Sequence, residues 1–265
     1  MTQVEINGEP ASTEALHRAA TWNYGHFTSM QVRNRAVAGL DLHLRRLTEG
    51  SATLFPDAAP PLDDDVRTLI GHALGPRPDA SVRVTVLPDP STPARTDIMV
   101  SVSDPVPDGP RPPLRVRTIR YERELPHLKH VATMGLSYHY SQARRAGYDD
   151  VLFTGSDGLV REDSVWNIAF WTGTQVVWPE APMLPGITMQ LLRRGLGTLD
   201  IPQTTRPLTI AALTGMKSAA ATNSHCPAQP IAAIDDFTPA PDNDLTARLR
   251  AAWQLADWQP LDRQP

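Results

Sequence analysis

The chain has 265 residues, of which 41% are hydrophobic and 20% are charged, and its formal net charge is −4. This balance is typical of a globular protein with a substantial core, and it lacks the basic charge expected of a nucleic-acid-binding protein. No run of about 18 apolar residues predicts a membrane helix, and no signal peptide is recognisable. A single cysteine, Cys226, excludes an internal disulfide, so we expect a cytoplasmic protein.

Periodicity predicts the elements in the first part of the chain. Residues 41–54 and 62–74 have the apolar spacing of helices, and the second begins with three aspartates that suit the positive end of a helix dipole. Apolar residues alternate in 81–87 and 97–103, which predicts two strands joined by a proline-rich hairpin loop.

A proline-rich segment divides the chain. Residues 104–113 contain five prolines, and proline lacks an N–H donor and restricts the residue before it. We therefore predict an N-terminal α/β domain at residues 1–103, an interdomain linker at 104–113, and a C-terminal α+β domain at 114–265 that carries the lysine discussed below.

The second part of the chain mixes short helices and strands without regular βαβ alternation. This order predicts an α+β fold rather than a doubly wound sheet. The predicted helices are 135–146, followed by Gly147, and 187–194; the predicted strands are 151–154, 159–161, 165–171 and 175–178.

Only two of the 25 basic residues are lysines, Lys129 and Lys217. Carbonyl chemistry on a protein amine needs a lysine, because arginine stays protonated. Lys129 lies between His127 and His130, whereas Lys217 has no neighbouring aromatic residue or histidine, so Lys129 is the better candidate. The usual nucleotide-binding and zinc-protease signatures are absent, and no carboxylate or cysteine cluster accompanies the two histidines, so we predict no metal site.

Several separated motifs occur in an order that resembles one enzyme family. They are residues 25–32, residues 41–47, Lys129, residues 157–168, residues 184–188 and residues 222–231. From about residue 20 to residue 235, the chain resembles the class IV (fold-type IV) aminotransferases, which use pyridoxal 5′-phosphate. This family includes branched-chain and D-amino acid aminotransferases and 4-amino-4-deoxychorismate lyases. The resemblance implies a two-domain α+β fold like that of D-amino acid aminotransferase, with the cofactor between the domains, and a homodimer.

The resemblance also implies roles for individual residues. Lys129 would form a Schiff base with the cofactor and then move protons at the substrate α-carbon. Arg46 would bind the cofactor phosphate, for which a planar guanidinium offers two hydrogen bonds. Glu162 would keep the pyridine nitrogen protonated, with Asn167 as structural support. Further phosphate-binding groups would come from Ile187 and Thr188 at a helix N-terminus, and from Asn223 and Ser224.

Substrate recognition departs from the usual transaminase pattern. No tyrosine follows Lys129 within five residues, and the loop in which some relatives bind a carboxylate offers only Arg95. Tyr24, Phe27 and Thr28 are further candidate substrate residues. Three features resemble the lyases instead, in which Thr28 or Ser29 would assist proton transfer: Phe27-Thr28-Ser29, Lys129-His130, and Asn223 with Pro227 and Pro230.

We predict a transaminase that moves an amino group between an amine or amino acid and a keto acid. One alternative is a lyase that eliminates pyruvate from 4-amino-4-deoxychorismate. The other is a catalytically degenerate homologue that binds a ligand. We expect small-molecule substrates and neither nucleic acid nor membrane as a partner.

Overall fold

The computed structural model describes residues 2–89, 91–92, 94–107, 109, 111–239 and 244–262, and the strands and helices counted below are those of the described residues. The chain divides into two compact units. The first comprises Met1–Pro107, Leu128–Ala132 and Asp257–Pro265, and the second comprises Asp108–His127 and Thr133–Ala256. Within the described ranges, no helix is long and apolar enough to cross a membrane.

The first unit contains seven strands and three helices. The strands are β1 (Gln3–Ile6), β2 (Glu9–Pro10), β3 (His26–Arg33), β4 (Ala36–Ala38), β5 (Ala80–Pro88), β6 (Thr96–Ser103) and β15 (Trp258–Pro260). The helices are α1 (Thr13–Thr21), α2 (Leu40–Leu54) and α3 (Asp63–Leu74). The strands form one antiparallel sheet in the order β15-β4-β3-β5-β6-β1-β2.

Alternation along β3 and β5 gives this sheet two different faces. Met30 and Val32 join Val82, Val84 and other buried residues in a core with apolar side chains of α2 and α3. Because successive side chains of a strand point to opposite faces, Phe27 and Ser29 lie on the other face of β3. This second face carries the polar side chains of Ser29, Arg83 and Thr85 as well as the ring of Phe27.

The second unit contains eight strands and three helices. The strands are β7 (Leu114–Arg120), β8 (Asp150–Thr154), β9 (Val160–Asp163), β10 (Asn167–Trp171), β11 (Val176–Pro179), β12 (Gln203–Arg206), β13 (Ser218–Asn223) and β14 (Cys226–Ile234). The helices are α4 (Met134–Arg145), α5 (Ile187–Thr198) and α6 (Asp244–Trp253), with a 3₁₀ helix at Ile210–Gly215. The sheet order is β12-β11-β10-β13-β14-β7-β8-β9.

Parallel and antiparallel pairs are mixed in this second sheet. The pairs β11–β12, β14–β7 and β7–β8 are parallel, and the remaining neighbours are antiparallel. Residues of α5 and α6 pack with Ala169, Trp171 and Ala220 on one face, and Ile168, Phe170 and Ala221 belong to a second core on the other. This architecture confirms the predicted α+β class.

The segment with Lys129 lies in the first unit, whereas the sequence prediction assigned it to the C-terminal domain. The physical reason is a short antiparallel pairing with β3. The Phe27 N–H donates to the Lys129 carbonyl (2.8 Å), and the Val131 N–H donates to the Gly25 carbonyl (2.9 Å). The C-terminal strand β15 likewise pairs with β4 of the first unit. Residues 108 and 110 of the predicted linker lie outside the described residues.

Candidate active site

Lys129 is held by its backbone and lies beside an aromatic ring. Its Nζ atom lies 5.0 Å from the centroid of Phe27, and the guanidinium carbon of Arg83 lies 3.5 Å from the same centroid. Two cations therefore share the polar face of β3, where the negative face of the ring attracts both. The neighbouring His130 is buried, and its backbone pairs with that of His26 in an isolated antiparallel β-bridge.

His43 connects Lys129 electrostatically with Arg46. The imidazole of His43, on α2, is buried, and its Nδ1 shares a hydrogen bond of 2.6 Å with Thr28 Oγ1. Burial, and then the positive charges of Arg46 and Lys129, hold the pKa of His43 well below its usual value. His43 is therefore neutral at neutral pH, and both cations act on it from nearby.

Two of the predicted substrate residues are engaged elsewhere in the first unit. Thr28 is fully buried against His43, because the alternation of β3 turns it toward α2. Tyr24 donates its hydroxyl to the Leu54 carbonyl (2.9 Å), and its ring packs edge-on against Phe55. Both hydroxyls are therefore hydrogen-bonded within the first unit, and the Tyr24 side chain is 45% exposed.

The remaining substrate candidates differ in their surroundings. Arg95 is exposed in the loop between β5 and β6, where its carbonyl accepts from the Asp89 N–H (3.1 Å). Phe27 is the one that contacts the lysine. Arg83 did not figure in the sequence prediction, although the alternation of residues 81–87 already placed it opposite the apolar face.

In the second unit, Glu162 and Asn167 both form hydrogen bonds with the backbone of Leu184. Glu162 Oε2 accepts from the Leu184 N–H (3.3 Å), and Asn167 Nδ2 donates to the Leu184 carbonyl (2.8 Å). A side chain at Gly186 would place its Cβ 2.0 Å from Asn167 Oδ1, so this position needs glycine. The two side chains thereby fix the loop that leads into α5.

The N-terminus of α5 presents backbone donors. Its N-cap, Gly186, offers no capping side chain, so the N–H groups of Ile187, Thr188 and Met189 have no partner within the helix. Ile187 and Thr188 are both buried. Such a terminus favours an anion, because the helix dipole adds to the hydrogen bonds.

Thr222, which begins the last of the predicted motifs but was assigned no role there, has a buried hydroxyl. Thr222 of β13 is paired with Asn167 of β10, the residue that donates to the Leu184 carbonyl in the loop before α5. Thr222 is 1% exposed, and within the described part of the chain its Oγ1 has no hydrogen-bond partner. A buried unsatisfied hydroxyl is costly, which is typical of a site that binds a polar group.

Asn223 and Ser224 lie at the end of β13. The Oδ1 atom of Asn223 accepts from the His225 N–H (2.8 Å) and the Cys226 N–H (3.1 Å), so this side chain shapes the turn into β14. Ser224 is half-buried in that turn. Across the described ranges, no group of three His, Cys, Asp or Glu side chains could hold a metal ion.

The sequence model of one family, described as amino-transferase class IV, matches residues 25–234. The chain belongs to this family. Class IV aminotransferases use pyridoxal 5′-phosphate, so the cofactor of the family is the one predicted from the motifs. No curated protein matches the chain in sequence.

Solved structures of class IV enzymes share the fold. Branched-chain amino acid aminotransferase from Escherichia coli superposes with a TM-score of 0.84 at 15% identity, over 98% of this chain and 99% of that one. A hypothetical aminotransferase from Mycobacterium tuberculosis in its PLP-bound form gives 0.80 at 19% identity, over 94% and 97%. A Legionella pneumophila protein assigned as a 4-amino-4-deoxychorismate lyase gives 0.80 at 18% identity, over 89% and 92%.

The donor set of this class IV chain fits pyridoxal phosphate. A phosphate dianion suits the backbone donors of α5 and the unpartnered Thr222 hydroxyl. A pyridinium nitrogen suits a buried carboxylate such as Glu162, and an aldehyde suits the amine of Lys129. Each functional part of the cofactor therefore has a chemically matched group in the chain.

Proposed function

We propose that the protein is a pyridoxal-phosphate-dependent transaminase that moves an amino group between an amine or amino acid and a keto acid. The proposal rests on one observation above all. The family's lysine and arginine, Lys129 and Arg46, act on the same buried imidazole, and the lysine amine lies over Phe27. Their proximity supports one binding region rather than two unrelated surface charges.

Each residue would have a separate task. Lys129 Nζ would hold the aldehyde carbon and later take and return the proton of the substrate carbon that bears nitrogen. Arg46 would bind the phosphate, assisted by the N–H groups at the start of α5. Glu162 would accept a hydrogen bond from the ring nitrogen. When bound, pyridoxal phosphate supplies an electron sink that stabilises negative charge on that substrate carbon.

A lyase acting on 4-amino-4-deoxychorismate is the second candidate. Transaminases of this class often use a tyrosine near the cofactor, but the Tyr24 hydroxyl donates to the Leu54 carbonyl. The buried His130 that follows Lys129 is also a lyase-like feature. A lyase would release pyruvate without a keto-acid acceptor, whereas a transaminase would need the acceptor for turnover. Measuring pyruvate with and without added keto acid distinguishes the two.

Borohydride trapping tests the covalent assignment. We expect protein that has been incubated with pyridoxal phosphate and reduced to carry the label on the peptide containing Lys129. Lys129→Ala should abolish the label, and Lys217→Ala, at the other lysine, should retain it. A label on Lys217, or no label on the parent protein, would remove the proposed chemistry and leave a ligand-binding homologue.

Two wider properties accompany the proposal. We propose a homodimer, because the family resemblance implies one, and a cytoplasmic location. Sedimentation of the purified protein, with and without cofactor, tests the first. A monomer under both conditions would contradict it.

A further inference from the structure

A buried arginine contacts the carboxylate proposed to face the cofactor ring. Arg123 follows β7, and its Nη1 atom lies 3.5 Å from Glu162 Oε1. The two side chains are 8% and 9% exposed. A pair with so little solvent interacts more strongly than a surface ion pair, because water screens it less.

A second buried carboxyl group, that of Asp163, follows Glu162 in β9. Asp163 is fully buried, and within the described part of the chain neither of its carboxyl oxygens has a hydrogen-bond partner. Burial, and then the negative charges of Asp150 and Glu162, raise the pKa of Asp163 well above its usual value. A buried carboxylate keeps its charge only when a nearby cation or hydrogen-bond donors offset the cost of burial, and Arg123 is a cation beside Glu162.

The other arginine of this region is directed elsewhere. Arg161 Nη2 lies 2.9 Å from Glu122 and 3.3 Å from Asp157, and its Nη1 donates to the Pro182 carbonyl (3.1 Å). Its charge is therefore balanced by Glu122 and Asp157. Arg123 is the guanidinium whose ion pair is with Glu162 itself.

We propose that Arg123 is a positioning residue that keeps Glu162 ionised, so that a proton shared with the cofactor resides on the ring nitrogen rather than on the carboxylate. This inference rests on the proposed function. A carboxylate next to a guanidinium binds a proton less readily than an isolated buried one. Without Arg123, burial would favour protonated Glu162, whose O–H would donate to a neutral ring nitrogen in place of accepting from a pyridinium.

The first test uses the protein without cofactor. In protein labelled with carboxyl-¹³C glutamate, the Glu162 signal is assigned by its loss in E162Q, and its titration is followed by NMR. We expect R123Q to raise the titration midpoint of Glu162 by about 1 to 3 pH units, the range for losing an opposite charge at this distance. R123K, which keeps the charge, should stay close to the parent protein.

The control is R120Q, which removes an exposed arginine at the end of β7 and should leave the Glu162 midpoint unchanged. R123M provides a second neutral variant that places no polar group at position 123, so the test does not depend on R123Q folding. An unchanged midpoint in a folded R123Q or R123M would overturn the inference. This result would not bear on Lys129, so it is separate from the proposed function.

The second test uses pyridoxal phosphate labelled with ¹⁵N in the ring. In the parent protein, R123K and R120Q, we expect the nitrogen shift of a protonated pyridine, and in R123Q a shift toward the neutral ring. In an E162Q background, R123Q should add no further change, because Arg123 acts through Glu162. A protonated ring in R123Q would contradict the inference even when the cofactor is bound at Lys129. Should the parent protein bind no cofactor, the carboxyl titration decides.

Discussion

Arg46 and Arg45 are neighbours on α2 with different surroundings. Arg46 is half-buried and acts on the buried His43, whereas Arg45 is exposed. We expect Arg46→Ala to weaken binding of pyridoxal phosphate by about 1.5 to 3 kcal/mol, the range for hydrogen bonds to a charged group. Binding of pyridoxal, which lacks the phosphate, should barely change. Equilibrium titration with both ligands measures the difference.

The matched control for this prediction is Arg45→Ala, which removes the same side chain one position earlier. Affinity for both ligands should equal that of the parent protein. An equal loss of pyridoxal and pyridoxal phosphate in Arg46→Ala would instead indicate a role in folding or in holding the ring.

The contrast between Phe27 and Thr28 shows how far single residues can be interpreted from sequence. Both belonged to a motif that pointed to the substrate, and only the pleat of β3 separates them. Phe27 contacts Lys129, and Thr28 bonds to His43 inside the core. Which residue of the motif lies on which face depends on the pairing partners of the strand, which local sequence does not contain.

Helix α2 approaches strand β3 closely at one position. A Cβ at Gly50 would lie 2.6 Å from Nδ1 of the buried His26, and the ring is fixed by a 3.0 Å hydrogen bond with Ser51. We expect Gly50→Ala to destabilise the protein by about 1 to 3 kcal/mol, as overpacking of a core does. Urea unfolding measures this loss.

Gly197, in helix α5, serves as the comparison. No atom lies within 4 Å of the Cβ that alanine would add there. Gly197→Ala should therefore stabilise the protein by about 0.5 to 1 kcal/mol, through the higher helix propensity of alanine. Similar changes in unfolding free energy at the two positions would show that the contact with His26 does not destabilise Gly50→Ala.

Long elements with a regular pattern were predicted well. The helices at residues 41–54 and 62–74 correspond to α2 and α3, and the alternating segments 81–87 and 97–103 correspond to the paired strands β5 and β6. The β1–β2 hairpin was not predicted, although Asn7-Gly8, both with positive φ, is a strong hairpin signal. Arg123 had no local signal, because its partner lies 39 residues away in sequence.

The stability of the whole molecule should depend on pH through its buried histidines. Burial lowers the pKa of His26 from 6.5 to about 4, and the pKa of His43 is also lowered. The unfolded chain therefore binds more protons, so stability is complete above pH 6.5 and falls as the pH drops toward 4. Asp163 acts in the opposite direction, since its raised pKa gives stability at low pH that is lost as the pH rises.

Replacing His26 by glutamine should flatten this dependence. Between pH 6.5 and 4, the slope of unfolding free energy against pH should decrease by up to about 1.4 kcal/mol per pH unit. Urea unfolding at several pH values measures the slope, and the same change at exposed His17 is the control. An unaltered slope for the His26 variant would mean that His26 is charged in the folded protein.

The proline-rich segment led us to place Lys129 in a C-terminal domain, whereas the compact unit that contains Lys129 is the first one. Its segment returns to the first unit through two backbone hydrogen bonds with residues of the β3 region, a non-local pairing that follows no periodicity. Sequence periodicity predicts the structure of single segments. Which strand a distant segment pairs with depends on which strand edges are open in the folded protein.

The same two hydrogen bonds have a mechanical consequence. They fix the main chain to the β3 region at the Lys129 carbonyl and at the Val131 N–H, so the backbone that carries the lysine side chain has a defined position. The distance that the amine can reach is therefore set by a fixed backbone position and by the length of the lysine side chain. A covalent bond formed at Nζ would act on the side chain, so the backbone and the sheet of the first unit need not rearrange when that bond forms or breaks.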